Sequence, residues 1–126
     1  MEFGGCFLNK RLNRTNDGGN IRRTTDAFQL ATTVLFQNPI QNFALAPNNL
    51  TDASQICLDF LKQVPVTWDE TVFIDGYPGK YCILARRHGD KWYVAGVNAQ
   101  KEPLKLKIQL PMFAKGNRVT LYNDDL

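Results

Sequence analysis

Few residues of the types that do chemistry occur in this chain, and they are widely spaced. Asp69-Glu70 supplies adjacent carboxylates, the groups used for acid and base work. Neighbours in a strand point to opposite faces, so this pair is not expected to flank one glycosidic bond as the two acids of a hydrolase must. Asp124-Asp125 is a second acidic pair, read as solvated. His88 is the one histidine and stands beside Gly89-Asp90, a turn signal. A general base needs an orienting partner and a pocket, and no Ser, His and Asp arrangement supplies that context. The three cysteines Cys6, Cys57 and Cys82 form no CxxC spacing, and a zinc site is not expected, since it wants four N/S ligands and only His88 could join them. Cys57 in a helical pattern and Cys82 in a strand pattern read as small buried hydrophobes.

Gly4-Gly5 and Gly18-Gly19 are not phosphate loops, because neither follows a strand nor precedes Lys-Ser/Thr. Asn13-Arg-Thr15 and Asn49-Leu-Thr51 fit the glycosylation sequon, a pattern that chance produces often. Trp68, Tyr77, Trp92 and Tyr93 are the aromatics that could stack on sugar rings. Tyr77, Trp92 and Tyr93 are the candidate sugar contacts, although adjacent Trp92 and Tyr93 face opposite ways in a strand. Aromatics more often fill a core or an interface. No catalytic, cofactor-binding or metal-ligating residue is assigned.

These residues must be positioned by an ordinary globular chain. It has 126 residues, 44% hydrophobic and 21% charged. That length can bury one core without metal or disulfide help. No stretch approaches the roughly 18 apolar residues of a membrane helix, so no membrane partner is expected. The start, Met1-Glu-Phe-Gly-Gly-Cys6, has no basic region followed by an apolar run, and no signal peptide is read there. The net charge of +3 is concentrated at the start. Lys10, Arg11, Arg14, Arg22 and Arg23 stand against Glu2 and Asp17, whereas residues 26–126 are balanced. A nucleic-acid arm would carry a reader motif or repeated basic spacing, and neither is present. The segment reads as a solvated or partner-facing loop.

Residues 1–23 read as irregular, with turn formers through 13–20. A structureless stretch this long is unusual in a compact domain and resembles a loop cut from something larger. Thr24 or Thr25 caps an expected helix through about Gln37, with Phe28, Ala31 and Leu35 on its apolar face. Asn38-Pro39 predicts a second, short helix carrying Ile40, Phe43 and Ala44 and ending before Pro47. Thr51 predicts the cap of a third, with Ile56, Phe60 and Leu61 inward and Lys62 in the last turn. After Pro65 the period changes from 3.6 to 2. Five strands are expected, over 69–75, 80–87, 92–98, 104–110 and 118–123. Short turns make them antiparallel, with Tyr81, Ile83, Leu84, Trp92, Val94 and Val97 as core material. The fold class is α+β, helices followed by an antiparallel sheet.

Three segments carry a family resemblance. Thr25-Asp-Ala-Phe-Gln-Leu-Ala-Thr-Thr-Val-Leu-Phe-Gln-Asn-Pro-Ile-Gln41 resembles the last barrel helix of glycoside hydrolase family 97. Phe60-Leu-Lys-Gln-Val-Pro-Val-Thr-Trp-Asp-Glu-Thr-Val-Phe-Ile-Asp-Gly76 resembles the run that leads into that family's C-terminal domain. Gly79-Lys-Tyr-Cys-Ile-Leu-Ala-Arg-Arg-His-Gly-Asp-Lys-Trp-Tyr-Val-Ala-Gly96 is similar to its first strand pair.

The resemblance implies a longer parent: an N-terminal β-super-sandwich, a central (β/α)8 barrel and a C-terminal antiparallel β-sandwich. It implies hydrolysis of α-glucosides or α-galactosides with a calcium ion, by carboxylates and calcium ligands that lie upstream. Within this chain, 1–46 would be the end of the barrel, 47–65 a connecting helix and 66–126 the β-sandwich domain. Residues 1–5 would border the parent's site. The chain is then expected to be a non-catalytic fragment with a structural or oligomerising role, the alternative being a carbohydrate-binding module. Its partners would be the upstream domains and further copies of itself. A periplasmic or secreted location is implied for a bacterial parent.

Overall fold

The computed structural model describes residues 5–13, 15, 17–114 and 116–124. Three helices, α1 (Asp26–Leu35), α2 (Asn49–Asp52) and α3 (Gln55–Gln63), precede three strands, β1 (Glu70–Tyr77), β2 (Tyr81–His88) and β3 (Lys91–Asn98). The strands form one antiparallel sheet in the order β1-β2-β3. Helices followed by an antiparallel sheet is the α+β class that the change of period predicts.

Helix α1 begins where expected. Thr25 Oγ1 accepts from the Phe28 N–H at 3.2 Å, and Asp26 favours the positive end of the helix dipole. Asp26 is also ion-paired with Arg22. The end comes at Leu35 rather than Gln37: Phe36 turns extended, and the carbonyls of Val34 and Phe36 are taken by a distant side chain. Arg86, in the central strand, is only 6% exposed. Its Nη1 donates to Val34 O at 2.8 Å and to Phe36 O at 3.1 Å, its Nη2 to Gln37 Oε1 at 3.3 Å, and its Nε to Thr71 Oγ1 at 3.0 Å. The guanidinium also lies 4.8 Å from the Trp68 ring centre. One cation therefore closes the negative end of α1 and ties it to β1 and β2.

The short helix expected after Asn38-Pro39 does not form. Ile40 N–H bonds to Asn38 Oδ1, Gln41 lies in a bridge, and Ala44 N–H donates to Gly5 O at 3.0 Å. Two donors that a helix needs are thus spent elsewhere, one on a side chain and one on the start of the chain. Thr51 lies inside α2, and α3 starts one turn later, after Ser54. The buried face of α3 is Cys57, Phe60 and Leu61, while Ile56 is 64% exposed. Phe60 and Leu61 thus face inward as expected, and Cys57 takes the place of Ile56.

The core joins both halves. Leu30, Val34, Cys57, Phe60, Leu61, Val64 and Ala95 pack together with Cys6 and Leu8 from the irregular start. Phe60 meets Tyr122 at 4.9 Å and Tyr93 at 6.5 Å between ring centres, both edge to face. The initial segment is thus partly core, not a solvated loop. Its backbone is anchored by Phe7 N–H to Gln29 Oε1 and by Lys10 N–H to Asp52 Oδ2, each 2.8 Å. Within the sheet the most buried residues are Ala85, Arg86 and Ala95, whereas the expected core side chains Tyr81, Ile83, Leu84, Trp92, Val94 and Val97 are half-buried.

Three of the five expected strands are present. Residues 104–110 and 118–123 join no ladder. Alternation predicts a chain with one apolar face; pairing needs, in addition, a free edge in register. Residues 107–112 instead lie beside β1 across an open groove. Tyr122 packs into the core, and Asp124 Oδ1 accepts from Ala27 N–H at 3.1 Å.

Replacing Arg86 by Ala is expected to lower unfolding stability by about 3 kcal/mol, since buried carbonyls lose a charged donor. The same change at the adjacent Arg87, whose ion pairs are at the surface, is expected to cost less than about 1 kcal/mol. Urea denaturation of both variants measures the difference.

Candidate functional site

The candidate acids and bases brace a turn. Arg87 Nε reaches Glu70 Oε2 at 3.3 Å, and its Nη1 lies 3.8 Å from Asp69 Oδ2. Asp69 stands just before β1, so both carboxylates reach one guanidinium, contrary to the opposed directions expected within a strand. Asp69 Oδ2 also accepts from Gly89 N–H at 2.8 Å, and His88 Nδ1 lies 2.8 Å from Thr67 O. With a carbonyl as partner, Nδ1 must carry the proton. Each of these groups is committed to the β2–β3 turn. Asp124, read as solvated, caps α1 instead, while Asp125 lies outside the described residues.

Other sequence candidates have structural roles. Asn49 is buried, and its Oδ1 accepts from Ala46 N–H at 2.6 Å, so this sequon is closed to modification. Arg14 of the other sequon lies outside the described residues, as do residues 1–4 of the segment expected to border the parent's site. Gly18 and Gly19 have φ of +66° and +64°. A Cβ on Gly19 would collide with Arg11 O, so this pair makes a tight turn against its own chain.

The aromatic candidates occupy three environments. Tyr93 sits between Phe60 and Trp68, 5.4 Å from the latter, in the layer that faces the helices. Trp92 is half-buried on the other face of the sheet. Tyr77 is 62% exposed, with Lys80 Nζ 5.1 Å from its ring centre. The structure does not bring the three onto one surface.

The thiols divide by burial. Cys6 and Cys57 are buried and Cys82 is half-buried. Burial, reinforced by the neighbouring Cys57, pushes the Cys6 thiol up to about 12. Burial raises Cys57 as well, with Asp26 adding to the shift. Among the described residues no group of His, Cys, Asp or Glu side chains could hold a metal ion.

What the molecule does present is apolar surface. A cleft of about 320 Å³ lies among Phe43, Leu45, Leu50, Leu58 and Leu61. Leu50 beside it is 82% exposed. A groove of about 360 Å³ runs between β1 and residues 107–112. Periodicity placed these side chains on elements but could not say which would lack a cover. Exposed apolar side chains of this kind occur at protein contacts, at ligand grooves and on surfaces prone to aggregate, and the second groove also carries Asp75, Lys107 and Gln109.

Residues 67–126 match the family described as "Glycosyl-hydrolase 97 C-terminal, oligomerisation". The chain is 39% identical over 75 residues to a probable retaining alpha-galactosidase of Streptomyces bingchenggensis, covering 60% of this chain and 12% of that protein. It is 38% identical over 69 residues to the retaining alpha-galactosidase of Bacteroides thetaiotaomicron, covering 55% and 10%. Among solved structures, a beta-arabinopyranosidase superposes with a TM-score of 0.85 at 75% identity, over 89% of this chain and 18% of that one. Residues 67–126 are thus similar to the C-terminal oligomerisation domain of glycoside hydrolase family 97, and the relatives that match the chain more widely are glycosidases. It spans about a tenth of the length of the curated relatives it matches.

In the folded chain Cys82 is expected to react with Ellman's reagent well before Cys6 and Cys57, which need unfolding. A thiol held above its ordinary 9.0 ionises first in the unfolded chain. Stability present below pH 9 is therefore expected to fall as pH rises towards 12. Thiol titration with and without urea, and thermal unfolding across that range, check both.

Proposed function

We propose that this chain is a non-catalytic assembly unit of a retaining family 97 glycosidase, and that the parent acts on galacto-configured pyranosides. The observation that carries the first part is apolar surface left uncovered in one copy, on a chain that includes a domain described as oligomerising. The polar groups that could have made an acid–base pair are spent on a turn and a helix cap. In this reading 1–46 is the end of a barrel, 47–65 the connector and 66–126 the assembly domain. In this reading the calcium that the family resemblance implies belongs with upstream residues of the parent.

The substrate class rests on the relatives. Two are named as retaining alpha-galactosidases and a third as a beta-arabinopyranosidase. In the L series, a β-arabinopyranoside has the ring configuration and anomeric orientation of an α-galactopyranoside without the exocyclic hydroxymethyl group. One site geometry then serves both sugars, and the α-glucoside, epimeric at C4, is the poorer fit.

The purified chain is expected to associate in sedimentation equilibrium. It is expected to release no nitrophenol from α-galactoside, β-arabinopyranoside or α-glucoside substrates with calcium present. Turnover that disappears in Asp69→Asn or Glu70→Gln would overturn the non-catalytic reading.

A further inference from the structure

We propose that two copies of this chain associate through the groove between β1 and residues 107–112, with Phe73 of each copy seated in the groove of the other. The proposal rests on the assembly reading above and names its surface.

Phe73 is 64% exposed on an edge strand, an unfavourable place for a large ring in an isolated chain. It lines a groove whose apolar floor includes Ile74, Ile108 and Met112. A β-bulge produces this arrangement. The register passes from Phe73↔Leu84 to Asp75↔Ile83, so Ile74 has no partner across the ladder. Bulges re-aim side chains at sheet edges, and this one presents Phe73 and Ile74 to the same opening.

A protruding ring and an open groove on one patch meet the requirement of a two-fold contact. In such a contact the same surface serves both partners, so each patch must complement itself. The charges obey the same rule. Asp75, whose Oδ1 accepts from Gly76 N–H at 2.8 Å, and Lys107 line the groove together, and the proposed two-fold contact sets Asp75 of each copy against the partner's Lys107. The bulge and Asp75 interrupt β1 as an edge, which disfavours a backbone ladder between copies and leaves side chains to make the contact. The patch lies within residues 67–126, the part matched to the oligomerisation family, whereas the cleft beside Leu50 lies outside it.

Sedimentation equilibrium of the chain tests this, with circular dichroism confirming that each variant folds. Phe73→Ser, at an exposed position, is expected to weaken association by at least about tenfold. Lys107→Glu is expected to weaken it as well, and Asp75→Lys combined with Lys107→Glu to restore it. Leu50→Ser should leave association unchanged. Association that is indifferent to Phe73→Ser and Lys107→Glu would overturn the proposal, and loss with Leu50→Ser instead would move the contact to the helical cleft. A wild-type chain that stays monomeric at every concentration would overturn the assembly reading itself. Galactose added to the labelled chain gives a further check. Amide shifts confined to residues 73–75 and 107–112, without association, would make the groove a sugar site and overturn the proposal.

Discussion

Arg86 is the constraint on which the two halves of this molecule depend. A buried guanidinium must spend its donors, and here the acceptors come from α1, the segment after it, and β1. Burial alone disfavours its charge and lowers its pKa. The helix terminus offsets that cost, because carbonyls without intrahelical partners are the negative end of the dipole. The stacked Trp68 closes the remaining face. Beyond Leu35 the backbone turns extended at Phe36, and the carbonyls of the last turn are taken by Gln41, Arg86 and Gln37.

The ends of the chain are held by similar exchanges. The start of the chain places Cys6 and Leu8 under α1 and α3, and the other end returns Tyr122 to Phe60 and Asp124 to the first turn of α1. Segments without regular structure thereby complete a core that three helices and three strands leave open. Cys6 has a φ of +64°, a conformation costly for a residue with a side chain, and the packing around it holds it there. The high thiol pKa at this position is a consequence of that packing and makes Cys6 an inert filler rather than a nucleophile.

The same packing explains why the molecule presents surface rather than chemistry. Asp69, Glu70, His88 and Asp124 are each consumed in bracing the fold. The uncovered apolar side chains lie on the helical side near Leu50 and along β1 near Phe73. The β1 groove differs from the helical cleft in carrying both a protruding ring and charges of both signs, the features a self-complementary contact needs.

The helical start at Thr25 and the three-stranded meander were legible because each rests on local physics: a capping hydroxyl, period-2 alternation and glycine turns at Gly79 and Gly89. The motifs that resemble family 97 were legible as well, since order and spacing are properties of the chain. The helix expected after Pro39, the inward Ile56 and the last two strands were not recoverable in this way. In each case the outcome turned on a competing partner distant in sequence. Gly5 took the Ala44 donor, Cys57 faced the core in place of Ile56, and residues 107–112 met a groove rather than a free edge. Local propensity and periodicity determined which segments could be helical or extended. Tertiary structure alone decided which carbonyls Arg86 would claim and which apolar side chains would be left facing outward. Hydrogen-bond donors, acceptors and buried area are shared across the whole chain and can be assigned only when all of it is in place.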